Sequence, residues 1–381
     1  MIKKINGSTT LMKLVCAILF IVFTFCYLYY YQADILAVGQ HVLSNGQTHY
    51  NRTIGAILIT FVLYSLQLGV YALARLEKRT HAMTYFPSLL ILAVITDVSP
   101  NIDIYFTFGA WLWIIPLVLI IYVLVVWGLR QLQPYEPETN SVGLFSKMIW
   151  VNVLTMTIMF IIVGLASNHN DVFHYRMHAE RCLVNKDYYR ALQTGKKSLA
   201  TDSSLTMIRA YALAKEGKIG DELFQYPIVG GSKVLFPDGL TTKLMIYPES
   251  EMYKDMGARL RQKMSPLSYL QFIEMHHKAT KMGIDYLIIA YLLDRNLDAF
   301  VHMVGKYYKL EGSLPTHYRE ALILYTHLRS NPVMVYHNNV MDADFQDYLQ
   351  LYHSESNNAI RKTKLRDTYG NTYWYYYQFG N

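Results

Sequence analysis

What this chain lacks narrows it first. None of its long apolar runs carries a charged residue near its centre. Ion transport and proton relays need ionisable groups at that depth, because a dehydrated ion must be coordinated there. Three cysteines in 381 residues give no disulfide framework, and Cys16 and Cys26 both lie in the first apolar run. No Walker loop, GxGxxG, GxSxG, CxxC or HExxH occurs, so nothing marks a nucleotide site, a serine hydrolase, a dithiol or a zinc protease, and no cofactor is expected. A dense basic run is also missing. Of the 35 Lys/Arg and 28 Asp/Glu, 9 and 6 fall in residues 1–166, so the net charge of +7 is spread thinly. Phosphate backbones are bound by clustered cations, and a nucleic-acid partner is not expected.

What is there is a division between an apolar half and a polar, helix-patterned half. A membrane helix needs about 20 apolar residues, and runs of that kind stand at about 14–31, 54–74, 83–98, 104–128 and 148–166. The first follows Lys3, Lys4 and Lys13 and reads as an uncleaved signal anchor. The third is the shortest, contains Pro87 and ends on Asp97. Five crossings with the N-terminus inside leave Lys3, Lys4, Lys13, Arg75, Lys78, Arg79, Arg130 and Lys147 on the inner side and only Arg52 on the outer. That bias is the positive-inside pattern. The expectation is a cytoplasmic tail (1–13), a five-span transmembrane domain (14–166) and a soluble domain (167–381) outside the cytoplasm, in a bacterium the periplasm. With only four crossings the soluble domain turns cytoplasmic.

Within the spans, Gln67, Asn152, Thr155 and Thr157 read as contacts between helices, and Gly55, Gly69 and Gly109 as points of close helix approach. The loop 32–52 places Ile35, Val38 and Val42 on one helical face before an Asn45-Gly46 turn, as in an interfacial helix. Asp34 in this loop, and Asp97 and Asp103 in the segment DVSPNID, are the candidate catalytic carboxylates. Membrane glycosyltransferases often keep a catalytic Asp in the first outer loop, a likeness of location only. His174 and His178, four apart on a helix, are the candidate metal ligands, with His169 or Glu180 as a further donor.

Residues 172–203, VFHYRMHAERCLVNKDYYRALQTGKKSLATDS, resemble a tetratricopeptide repeat. Ala179 stands at the small-residue position of the first helix, Lys186-Asp187-Tyr188 at the turn, where glycine is commoner than Lys186, and Ala191-Leu192 at the small–large pair of the second. A third helix follows near 205–217. Helical spacing persists near 249–263, 266–281, 284–294, 296–309, 315–329 and 341–352. The stretch 227–247 interrupts it as a long loop or small hairpin, and the aromatic terminus TYGNTYWYYYQFGN reads as a final core strand, an interface segment or a stacking surface. The fold class expected is all-α, a five-span bundle followed by a tetratricopeptide-like α-solenoid.

The stretch QADILAVGQHVLSNGQTHYNRTIGAILIT, with THYREALILY and YWYYYQFG, resembles an uncharacterised family of multi-span membrane proteins from Bacteroides-like bacteria. The resemblance implies a Gram-negative inner-membrane setting and transfers no reaction or site residue. The expectation is an interaction or assembly protein of the bacterial envelope, seated in the bilayer and holding another envelope protein on its repeat surface. The alternative is an integral membrane enzyme that uses the outer-loop carboxylates on a lipid-linked or glycan substrate.

Overall fold

Every regular element in the computed structural model is helical, and the described residues (7–105, 107–135, 146–259, 262 and 264–380) contain no strand. The chain divides into two compact units, Met1–Asn170 and Asp171–Asn381.

The first unit contains six α-helices: α1 (Gly7–Cys26), α2 (Ala33–Leu43), α3 (Arg52–Ala74), α4 (Phe86–Thr96), α5 (Trp111–Leu132) and α6 (Lys147–Ala166). Four helical stretches, Thr9–Tyr31, Arg52–Ala74, Trp111–Tyr135 and Lys147–Ala166, are long and apolar enough to cross a membrane. Their outward side chains are apolar too: Leu14, Phe61, Leu124 and Ile161 are all exposed. The chain's Asn51 caps α3 by accepting the N–H groups of Thr53 and Ile54, which fixes where that helix starts.

The third apolar run behaves differently from a plain α-helix. A 3₁₀ helix, Lys78–Tyr85, leads into the 11-residue α4. Pro87 lies in the first turn of α4, where its missing N–H costs nothing. Hydrogen bonds fix the direction of this segment. At its start, the Asn152 amide of α6 donates to Lys78 O at 2.8 Å and accepts from Ala82 N at 2.7 Å. His81 packs edge-on against Tyr71, whose hydroxyl meets Lys13 Nζ at 2.5 Å. At its finish, Asn168 takes the Thr96 carbonyl with its main-chain N–H and the Val98 carbonyl with its side chain, at 3.3 and 2.7 Å. Gln32, just past the first helix, donates to Asn168 O at 3.2 Å. Residues 78–96 therefore run from the Lys13 end of the bundle to the Gln32 end, alongside α1 and α6 and against α3. The polar side chains divide by role. Gln67 donates to Thr84 at 2.9 Å and Asn152 bridges two backbone groups, so both join helices. Thr155 and Thr157 instead bond carbonyls of their own helix. The glycines differ from expectation as well: Gly55 makes room for the Tyr50 ring, while Gly69 and Gly109 have nothing within contact range of an added Cβ.

Several boundaries move. The fourth span starts at Trp111 rather than 104, because residues 97–105 and 107–110 form no α-helix and turn around Pro100 and Gly109. The 32–52 loop holds α2 with Ile35 and Val38 buried, then the Asn45–Gly46 turn, both residues at positive φ. Cys16 is buried and Cys26 exposed.

The second unit contains α7 (Asp171–Val184), α8 (Tyr188–Gln193), α9 (Ser203–Lys215), α10 (Ile219–Glu222), α11 (Glu249–Met256), α12 (Pro266–Met275), α13 (Lys281–Leu293), α14 (Leu297–Tyr307), α15 (Thr316–Leu328), α16 (Asn339–Ser354), α17 (Asn358–Tyr369) and α18 (Tyr373–Phe379). One continuous apolar core serves them all. The same turn closes four helices. Lys186, Gly217, His277 and Arg295 take left-handed φ near +55 to +70°. The next N–H in each case reaches back five residues: Asp187 to Cys182, Lys218 to Leu213, Lys278 to Ile273 and Asn296 to Tyr291, at 2.8–2.9 Å. This is the Schellman closure, which satisfies the last carbonyls and reverses the chain. Ala179, Ala191 and Ala210 are buried where α7, α8 and α9 pack together.

The stretch 227–247 is a loop containing the 3₁₀ turn Ser232–Leu235, not a hairpin. It is held from below by helix side chains. Glu180 of α7 accepts the N–H groups of Met245 (2.6 Å), Ile246 and Tyr247 (2.8 Å) on one oxygen. Asp294, after α13, accepts the N–H and hydroxyl of Ser232 at 2.8 and 2.6 Å. A Cβ on Gly231 would lie 2.6 Å from that Asp294 oxygen, so only glycine fits there. The aromatic terminus is likewise a helix, α18, and not a strand; Tyr373 and Trp374 are buried in the core.

Candidate functional site

A large cavity lies in the first unit, at the Gln32 end of the bundle. Its volume is about 1040 Å³, at the upper end of what encloses a drug-sized ligand (roughly 300–1,000 Å³). Three sequence features build it. The helix α2 lays Leu36, Gly39, Gln40 and Leu43 along one side; the turns after α4 bring Asp97, Ser99 and Tyr105; and Trp111 and Ile114 open α5 above them. Asn168, at the end of the unit, contributes from below. Gly39 faces Val98 across the chamber's edge, where an added Cβ would make ordinary contact at 3.5 Å.

Asp97 is the one Asp, Glu, Lys, Arg or His in the described lining, and it accepts a hydrogen bond from the Trp111 indole N–H at 2.7 Å. The other two candidate carboxylates are not in that lining. Asp34 lies 3.4 Å from the Arg52 guanidinium, which binds the end of the first outer loop to the start of α3. Asp103 is exposed in the turn segment. The three carboxylates are thus not gathered at one site. His174 and His178 both sit half-buried on α7. No group of three His, Cys, Asp or Glu placed to hold a metal ion occurs among the described residues. Glu180 turns one oxygen to the loop backbone, where it takes three N–H groups, while its other oxygen is buried without a hydrogen bond among the described residues. Complete burial pushes the Glu180 carboxyl above the ordinary range, against the opposing pull of the three N–H donors and Arg176.

A second, apolar cavity of about 250 Å³ lies between α5 and the pair α4 and α6. It shares Trp111, Ile114 and Ala166 with the first. Sequence reasoning singled out Asp97 but not this chamber, whose walls come from segments scattered between residues 36 and 168. The aromatic cluster of loop residues Tyr105 and Phe108 beside Trp111 was the one signal available. A third cavity, about 490 Å³, lies in the second unit under Phe236, Tyr253 and Tyr269.

The class of molecule that emerges is an all-helical protein with membrane-length apolar helices and a separate helical unit. The chain belongs to DUF6057, a family of unknown function, whose profile matches residues 101–260 and 259–380. No curated protein and no solved structure is significantly similar to it.

Proposed function

We propose that this protein is a membrane-anchored helical-repeat interaction or assembly factor of the bacterial envelope, with no catalysis required. It crosses the inner membrane five times and holds the unit from Asp171 onward in the periplasm, where a second envelope protein binds its repeat surface. The observation that carries the reading is the fourfold recurrence of the helix–left-handed turn–helix closure in a unit with its own core. Recurring helix pairs of this kind stack into surfaces that grip a partner through many shallow contacts. The buried Ala179 and Ala191 support the tetratricopeptide-like register.

The five-crossing topology draws support from residues 78–96. Eight 3₁₀ residues and eleven α-helical residues rise about 2.0 and 1.5 Å each, roughly 32 Å in all, against a hydrocarbon core about 30 Å thick. Lys13, Lys78 and Arg79 then share one end with Lys147, which begins α6. Asp34, Arg52 and Asp97 share the other. Alkaline phosphatase or green fluorescent protein fused after Asn381 tests this directly. Phosphatase activity without fluorescence is expected, and fluorescence alone would overturn the topology. Crosslinking on whole cells should then recover a discrete envelope partner that is lost when residues 171–381 are deleted.

A second reading, a membrane enzyme acting on a lipid-linked or glycan substrate, rests on Asp97 and the cavity it lines. Asp34 and Asp103 lie outside that lining, and a lone carboxylate is not an acid–base pair.

A further inference from the structure

We infer that the two joined cavities of the first unit hold one membrane amphiphile, with its alkyl chain in the slot behind α5 and an uncharged, hydroxyl-bearing head in the chamber at the Gln32 end.

The slot carries the first half of this inference. The helix α5 is fastened to its neighbours at three points: Trp111 to Asp97, Tyr122 to Met83 O at 3.2 Å with its ring stacked on Phe86, and Gln133 to Thr80 at 3.1 Å. Tyr122 is its one buried residue. Between these fastenings α5 stands away from α4 and α6 and leaves the 250 Å³ slot, lined by residues such as Leu90, Val118 and Ile162. The slot is open on one side, since Ile114 and Ile162 in its lining are exposed, so an alkyl chain can enter it from the bilayer. Water would find no polar partners there. An alkyl chain meets the contacts that the lining otherwise forfeits.

The junction carries the second half. Trp111, Ile114 and Ala166 line both cavities, so the slot and the chamber lie side by side. There the polar lining changes to Gln40, Ser99, Thr107 and Asn168, with Asp97 and the aromatic residues Tyr50, Tyr105 and Trp111. Among the described residues, no Lys, Arg or His lines the chamber. A phosphate head would meet a carboxylate with no counter-cation, an unfavourable burial. Hydroxyls can donate to Asp97 and exchange hydrogen bonds with the amides, and the aromatic faces suit the apolar faces of a polyol or sugar ring. Asp97 keeps its charge and its second oxygen when bonded to the indole, so a cationic head is the rival occupant that the competition below separates. This inference is independent of the number of crossings and of the partner of the second unit.

The test uses the full chain in lipid nanodiscs and a dodecyl glucoside carrying a diazirine in its alkyl chain. Photolysis and peptide mapping should place the label on α4, α5 and α6 around Leu90, Val118 and Ile162, with competition by unlabelled dodecyl glucoside. Val118→Trp and Ala166→Trp fill the slot from two sides and should each cut labelling about tenfold, the equivalent of ~1.4 kcal/mol. Neither residue is fully buried, and an unchanged melting curve would establish that the variants fold. Asp97→Asn should weaken competition by the glucoside more than competition by a plain alkane. Label spread evenly over the lipid-facing side of α3, unmoved by either Trp variant, overturns the site. Equal competition by dodecylphosphocholine or by dodecyltrimethylammonium overturns the head-group assignment.

Discussion

The carboxylate of Glu320 lies 2.7 Å from the main-chain nitrogen of Tyr373, so a buried side chain of α15 caps the last helix of the chain. The same oxygen accepts a hydrogen bond from His317 Nδ1–H at 2.9 Å, and His317 Nε2 in turn accepts the Phe224 N–H at 3.3 Å. A main-chain N–H can only donate, so Nε2 is the acceptor and Nδ1 carries the proton. The Trp374 indole adds a bond to the Glu320 carbonyl at 2.8 Å. Three elements distant in sequence, α15, α18 and the turn at Phe224, are joined by this one network. Glu320→Ala would leave two buried donors without an acceptor and should cost about 3 kcal/mol. Loss of protection of the 373–379 amides in hydrogen exchange, with altered Trp fluorescence, is the expected readout. Glu320→Gln, which keeps an acceptor oxygen, should lose much less.

Asn152 does comparable work in the first unit. Its carboxamide occupies the place of the hydrogen bond from Ala82 to Lys78 that an α-helix would make there. Asn152→Leu removes both bonds where the 3₁₀ helix has no α-helical alternative in register. The expected cost is about 1–2 kcal/mol, since interhelical hydrogen bonds in membranes are modest. Unfolding in mixed detergent measures it, and Thr155→Val, which loses only a bond within its own helix, should move the midpoint far less.

Much of the helix layout was legible because a helix that buries one face repeats its apolar residues about every 3.6 positions. Each segment from 249 to 352 contains a helix, although the first, expected over 249–263, ends at Met256 and residues 260, 261 and 263 lie outside the described ones; Lys186-Asp187-Tyr188 is the turn that its spacing implied. The third apolar run was ambiguous for a physical reason. A length estimate at the α-helical rise undercounts a segment whose first eight residues are 3₁₀. The loop 227–247 was legible only as an interruption, because Glu180 and Asp294 hold it from helices far away in sequence, and no local pattern encodes that. The terminal aromatics looked like a strand because their β-preference is strong, yet capping by Glu320 and burial against Phe224 make them a helix. The chamber around Asp97 was invisible as a shape, since a cavity is a property of three segments and not of one.

The four left-handed turns make a discriminating pair of substitutions. Lys186 and Arg295 both carry a Cβ in a conformation that favours glycine. Lys186 is exposed, and Lys186→Gly should stabilise the chain by up to about 1 kcal/mol. Arg295 differs because its guanidinium donates to the carbonyls of Tyr376 and Gly380 and lies over the Tyr376 ring. Arg295→Gly should therefore be neutral or destabilising and should loosen α18. Thermal denaturation of the two variants side by side decides it.

Ala191 is buried between α7 and α9, which both pack on α8. Ala191→Asp would place an unpaired carboxylate there and should cost about 3–5 kcal/mol, enough to unfold a marginal domain. A stably folded Ala191→Asp protein would show that the packing register of the first three helices is wrong.

The loop 238–242 supplies a pH prediction with a definite sign. Partial burial pushes the Asp238 carboxyl upward, but the Thr241 hydroxyl and the N–H groups of Leu240, Thr241 and Thr242 outweigh it and hold it down at about 2. Those N–H groups lie 2.8 Å from one carboxylate oxygen. A carboxyl that ionises more readily when folded adds stability above its ordinary value of 3.8, and loses it as pH falls through about 2. The loop should thus stay closed at pH 4 and open locally between about pH 3.8 and 2. Hydrogen exchange of the three amides across this window is the measurement. Asp238→Asn retains an acceptor but not the charge, so its amides should exchange faster at pH 5 and show no such transition. Amides that remain equally protected in the wild type and the variant at pH 5 would mean that the charge contributes nothing to closing the loop.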